Sequence, residues 1–141
     1  MARGKVRQAS PMVGRLKPEV GMTDSYLRSL WSKATLAQKG NFCYTPNCGN
    51  PAHSVHHIIR VRHKLTRYDV RNGLPLCAEC HRRAQRSIGW DMDMIPIRDK
   101  EWLREASNIN IKDYLVRNGK TEKEWMKEQG EELKAIIKGE R

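Results

Sequence analysis

No stretch of this chain approaches the roughly 18–20 consecutive apolar residues that a membrane-spanning helix requires. The basic opening, Met1 to Ser10, lacks the apolar segment of a secretory signal, so an intracellular setting is expected. Internal repeats and low-complexity tracts are also missing, which sets aside solenoids and compositionally biased arrays. Acidic residues are scarce: 16 Asp and Glu face 27 Lys and Arg, for a net charge of +11. A surplus of that size points to a polyanionic partner. Stacking residues are few as well. Residues 41–90 offer Phe42, Tyr44, Tyr68 and Trp90, which is a poor platform for single-stranded bases and disfavours an RNA-binding or ribosome-associated role.

What is present is unevenly placed. The 141 residues suit one domain, whose modest core invites a non-hydrophobic staple. Residues 1–42 and 43–86 each carry a balance of +6, residues 87–100 carry −1, and residues 101–141 are neutral. All four cysteines and all five histidines lie between residues 41 and 90, inside or beside the basic half. A solubilising surface would explain an even charge, whereas this co-localisation favours nucleic acid.

Residues 1–22, with three glycines, two prolines and no apolar period, read as a basic flexible arm, either solvated or contacting phosphates. Residues 24–39 read as a helix: Leu27, Leu30, Trp31 and Ala34 share a face, Thr23 or Asp24 can cap it, and Gly40 can end it. Trp31 is expected in the core. Val55, Ile58, Ile59 and Val61 suggest a short strand, and a helix is expected from residue 78. Residues 99–141 read as helical. One segment starts at Glu101 to Ala106, with Asn108 and Asn110 near its end. Thr121 and Glu124 form a capping box ahead of a face made by Met126, Gly130, Leu133 and Ile137.

The cysteines fall as Cys43-x4-Cys48 and Cys77-x2-Cys80. Reduced cysteines in two close pairs suggest metal rather than disulfides. Four thiolates suit tetrahedral Zn²⁺ and leave no open position, so this zinc would be structural and would clip the ends of a long loop.

Between the pairs lie Val55-His56-His57-Ile58-Ile59 and then Asn72-Gly73-Leu74-Pro75-Leu76-Cys77-Ala78-Glu79-Cys80-His81. This pattern resembles the four-cysteine branch of the HNH endonuclease family over about residues 43–86. The resemblance implies an α+β fold: a small zinc-stabilised ββα-metal core at 41–90, a helix at 23–40 packing on it, and a helical extension at 91–141. It implies His57 as general base, His56 and His81 as ligands of a catalytic divalent cation, and Asn72 as the residue that fixes the loop and orients the His57 ring. The family often has Asp or His at the position of His56, and here it is His, not a carboxylate. Two imidazoles suit Mn²⁺, Ni²⁺ or Zn²⁺ better than Mg²⁺.

The chemistry gives these residue types independent sense. Phosphodiester hydrolysis needs an activated water in line with the leaving 3′ oxygen and a cation on the scissile phosphate. A histidine near neutrality is a suitable base. Each residue has a plainer alternative: His56 or His57 as a zinc ligand, His81 as a surface side chain, Asn72-Gly73 as a tight turn. His53 and His63 match no motif position and read as surface or DNA-facing. Arg60, Arg62 and Lys64 would share one face of a strand, and Arg82, Arg83 and Arg86 follow His81 on a helix. Flanking a site, these would grip the phosphates of double-stranded DNA.

The leading expectation is a metal-dependent DNA endonuclease with structural Zn²⁺ and a catalytic Mg²⁺, Mn²⁺, Ni²⁺ or Zn²⁺. The size and helical flanks resemble phage or prophage HNH proteins, which would place it in a bacterial or phage-infected cell. The alternative is a non-catalytic, zinc-stabilised DNA-binding module. The helix at 121–138 could pair with a copy of itself to give a homodimer.

Overall fold

A computed structural model describes residues 22–140. The arm read over residues 1–22 lies outside the described residues except for Met22. Helix α1 spans Asp24–Lys39. The Thr23 hydroxyl caps it by accepting from the Tyr26 N–H, and Gly40 ends it with its N–H on the Leu36 carbonyl. The apolar face of Leu27, Leu30, Trp31 and Ala34 is the buried one.

Two short strands follow, β1 (Ser54–His57) and β2 (Gly73–Leu76), paired antiparallel with His56 opposite Leu74 and His57 opposite Gly73. Between them lie the single-turn helix α2 (Lys64–Arg67) and a 3₁₀ turn over Val70–Asn72. Helix α3 (Ala78–Arg86) begins directly after β2. A second 3₁₀ turn over Asp91–Met94 leads to α4 (Ile97–Ala106), α5 (Ile111–Arg117) and α6 (Glu122–Ile137). The result is a small α+β unit, two strands and a helix, flanked by helices. No helix among the described residues is long and apolar enough to cross a membrane.

The strand stops earlier than its apolar residues suggest. Ile58 still donates to the Asn72 carbonyl, but Ile59 donates to the Asn72 side chain, and the chain then turns with His63 N–H on the Arg60 carbonyl. Arg60 and Arg62 therefore sit in the turn region, and Lys64 opens α2 and pairs with Glu122. The three do not share a strand face, because a side-chain clamp replaces the backbone ladder at Ile59.

Two apolar clusters support the unit. One joins α1 to α6 through Leu27, Leu30, Trp31, Trp125, Leu133 and Ile136, and the other lies around β2 and includes Leu74, Leu76, Cys77, Ala84 and Leu103. The capping box of Thr121 and Glu124 is present. The buried face of α6 carries Trp125, Gly130, Leu133 and Ile136; Met126 packs against it partly buried, and Ile137 is 37% exposed. Trp125 sets this rotation: the largest apolar side chain on the helix packs against Tyr68, with ring centroids 5.8 Å apart. That face is covered by α1 within the chain. Asn110 also differs from expectation, since it opens α5 by accepting from the Lys112 N–H at 2.8 Å instead of lying at the end of the preceding helix.

Helix α1 crosses the hairpin at closest approach over Gly73. A Cβ there would stand 2.8 Å from Thr35 Oγ1 and 2.9 Å from Trp31 Cζ2. Both neighbours are buried, so neither can move aside cheaply. Gly73→Ala is expected to destabilise the protein by about 1–3 kcal/mol through overpacking. Denaturant unfolding checks this, and an unchanged midpoint would show that α1 has room to move away.

Candidate functional site

The four cysteines converge. Cys43 and Cys48 lie on a knuckle closed by Cys43 N–H to the Asn50 carbonyl and Cys48 N–H to the Thr45 carbonyl, with Asn47 in the left-handed region at φ 66°. Cys77 caps α3, accepting from the Cys80 N–H on its sulfur at 3.5 Å. Tyr44 N–H donates to the Pro75 carbonyl and His53 N–H to the Leu76 carbonyl, which ties the knuckle to β2. All four sulfurs lie within 4.8 Å of one another. Cys48 is 3.9 Å from Cys77 and 4.0 Å from Cys80. Tetrahedral zinc–thiolate bonds of about 2.3 Å demand sulfur–sulfur edges of about 3.8 Å. The residues therefore fit a metal ion such as zinc. The thiols are unequal without one. Burial opposes ionisation of Cys43, yet hydrogen bonding from Thr45 and the Cys77 backbone lowers it to about 6. Thr45 eases ionisation of Cys80 too, but burial and the neighbouring sulfurs push it up to about 12. Four thiolates in one place need a cation to hold them.

Asn72 is 0% exposed and makes three side-chain hydrogen bonds. Its Oδ1 accepts from the Ile59 N–H at 2.6 Å, and its Nδ2 donates to the Ile59 and Thr66 carbonyls, each at 3.1 Å. These bonds pin both ends of the loop that separates the strands. The next residue, Arg67, offers its carbonyl to His57 Nε2 at 3.0 Å. A carbonyl only accepts, so Nε2 carries the proton of the neutral ring and Nδ1 keeps its lone pair. No described residue hydrogen-bonds that Nδ1. The other restraint on the ring is Trp31, stacked at 3.8 Å between centroids and 10° between planes. Trp31 is itself fixed by its Nε1–H on the Asp69 carbonyl at 2.8 Å. Burial holds the His57 pKa below the ordinary 6.5, and the nearby Arg28, His56 and Arg67 charges push the same way.

His56 points to the other face of β1, buried at 9% exposure. Its Nε2–H donates to Asp91 Oδ2 at 2.8 Å. His81, on α3, lies edge-on to His56 with ring centroids 5.2 Å apart, and its Nδ1 contacts the Ser54 hydroxyl at 3.0 Å. His56, His57, His81, Arg60, Arg62 and Asp91 line one groove of about 620 Å³. Sequence reasoning reached three of these six residues through the motif and two through charge, and it missed Asp91. Asp91 carried no signal in sequence, because it reaches the groove through the turn after α3.

The remaining basic residues divide. Arg82 and Arg86 are exposed on α3, and Arg83 stands over the Trp90 ring at 4.6 Å. None of these three lines the groove. Lys64 is paired with Glu122. His53 is exposed, whereas His63 is half-buried: it bonds the Thr66 hydroxyl and the Ile109 carbonyl and ties α2 to the helical flank. Trp31, read only as core, also backs the His57 ring.

Residues 43–87 match a family model described as HNH endonuclease. The match spans the cysteine pairs, both strands and α3, and leaves the helical flanks outside it. It points to a nuclease or DNA-binding function with nucleic acid as the class of substrate. No curated protein and no solved structure matches the chain.

A structural zinc site contributes on the order of 10–16 kcal/mol, which rivals the whole stability of a domain of this size. Chelation, or Cys77→Ser, is expected to abolish the cooperative unfolding of residues 41–90. Amide hydrogen exchange with and without chelator checks this, and unchanged protection in metal-free protein would count against the site.

Proposed function

We propose that this protein is a metal-dependent endonuclease that hydrolyses phosphodiester bonds in double-stranded DNA. The observation that carries the reading is that His56, His57 and His81 all border one groove together with Arg60 and Arg62, with the His56 and His81 rings edge-on to one another. A zinc-stabilised module that only bound DNA would need the cysteines and arginines but would have no use for three assembled imidazoles.

The roles follow from the ring environments. His57 presents Nδ1 as an acceptor, while Nε2–H is held by the Arg67 carbonyl and the ring is clamped by Trp31. It takes the proton of the attacking water as the water oxygen bonds to phosphorus. The bond from phosphorus to the 3′ oxygen breaks on the opposite side, and that oxygen gains a proton from solvent. Asn72 fixes the loop that supplies the Arg67 carbonyl and so sets the angle of the base. His56 and His81 would hold a divalent cation, which when bound supplies positive charge to the scissile phosphate and the leaving oxygen. The imidazole donors favour Mn²⁺, Ni²⁺ or Zn²⁺ over Mg²⁺. Arg60 and Arg62 would contact phosphates beside the scissile bond, with Arg82, Arg83 and Arg86 engaging the backbone farther out along α3.

A nicking assay on supercoiled plasmid across a panel of Mg²⁺, Mn²⁺, Ni²⁺ and Zn²⁺ tests the reading, and protein that binds DNA but cuts none of it with any cation would reject it. His57→Ala is expected to abolish cleavage, by about 100-fold or more as for loss of a general base, with folding and DNA binding retained. Undiminished cutting by that variant would remove His57 from the mechanism. The pH profile has a definite sign. The base must be neutral, and burial favours the neutral ring, so kcat/KM should rise with pH through a limb below 6.5 and then level off. A limb above that value would place the controlling group elsewhere.

A further inference from the structure

Among the described residues, Asp91, at 7% exposure, is the one carboxylate lining a groove whose other ionisable residues are His56, His57, His81, Arg60 and Arg62. It lies beyond residues 43–87, and the 3₁₀ turn over Asp91–Met94 folds it back against β1. The turn into that segment passes through Gly89 at φ 84°, a conformation that glycine adopts freely. The first packed residues after it include Ile95 and Leu103 of the cluster around β2, so the segment is anchored rather than loosely apposed. Asp91 Oδ2 accepts the Nε2–H of His56 at 2.8 Å.

That bond has two consequences. It fixes the tautomer, since a carboxylate accepts only, and leaves Nδ1 as the ring atom of His56 with a free lone pair. It also places a negative charge beside the two imidazoles. A divalent cation held by neutral rings alone, close to Arg60 and Arg62, would meet uncompensated positive charge in a half-buried wall. A carboxylate behind one ligand relieves this and fixes the orientation of the ring it bonds.

We propose that Asp91 is a positioning residue of the cation site, holding His56 so that Nδ1 binds a divalent cation and supplying the anionic charge the imidazoles lack. The inference rests on the nuclease reading, and it adds a residue from outside the matched segment. A purely structural pair would hold the second 3₁₀ turn in place and leave cation affinity untouched.

The test uses the full chain with its cysteine site loaded with zinc and Ni²⁺ as the probe. Calorimetry should find one further equivalent of Ni²⁺ in the wild type, lost in His56→Ala. Asp91→Ala should weaken that equivalent by about 10–100-fold, the usual cost of removing a carboxylate behind a metal-bound histidine. Asp91→Asn, which keeps the shape and an acceptor but not the charge, should lose less. Nitrogen-15 spectra of the histidine rings give a second readout that needs no substitution. With diamagnetic Zn²⁺ as the added ion, the wild-type His56 should shift at Nδ1 while Nε2 stays protonated. Ni²⁺ affinity unchanged in folded Asp91→Ala would overturn the positioning role while leaving the nuclease reading intact. An ion-induced shift at Nε2 would do the same, since ion and Asp91 would then compete for one atom. A wild type that takes up no ion beyond the cysteine site would remove the cation site itself, and the proposal with it.

Discussion

Asn72 has no solvent access, and its carboxamide reaches Ile59 twice and Thr66 once. Left unpaired in that position, each of these polar groups would cost about 1–3 kcal/mol. The bonds therefore do more than close a turn. They end the β1–β2 ladder at His57, set the path of the loop through α2, and place the Arg67 carbonyl where it can take the Nε2–H of His57. A single buried side chain thus links the fold of the hairpin to the tautomer of a groove histidine. Gly73 follows immediately, and its missing Cβ lets α1 close over the same hairpin and bring Trp31 onto the His57 ring.

Consecutive residues of a strand point to opposite faces, and His56 and His57 illustrate the use of that rule. His57 turns toward α1, where an aromatic ring and a carbonyl hold it and burial keeps it neutral. His56 turns toward α3 and the Asp91 turn, where it meets a second imidazole and a carboxylate. Both residues border the groove, but their rings have separate supports. This separation would suit the proposed base, which must stay neutral beside the proposed cation site. The sulfur cluster plays no direct part in either environment. It joins the knuckle before β1 to the start of α3 and so fixes the distance across which His56 and His81 face one another.

Much of the architecture was legible because it rests on local rules. The α1 face, its Thr23 cap, the Thr121 capping box and the start of α3 after Cys77 all follow from residue spacing and side-chain reach. The cysteine quartet was legible because two short spacings leave little choice of partner. Errors arose where distant contacts overrode local pattern. Trp125 rotated the buried face of α6 against Tyr68, and Asn72 cut β1 short, which moved Arg60, Arg62 and Lys64 off a common strand face. His63 looked like an exposed basic side chain and proved to be a tie to Ile109 across 46 positions of sequence.

The sequence by itself determined which residue types could meet: four thiols in two close pairs, a histidine pair, and a histidine on the helix that follows. These follow from spacing along the chain, which fixes short-range geometry. Only the tertiary structure decided the surroundings of those residues. Trp31 backs His57 from a helix that spacing reads as plain core, and Asp91 holds His56 from a turn with no motif of its own. Both partners come from outside the hairpin that carries the histidines, 26 residues before His57 and 35 after His56. Hydrogen bonding and ring stacking act through space, so no pattern along the chain could have announced them.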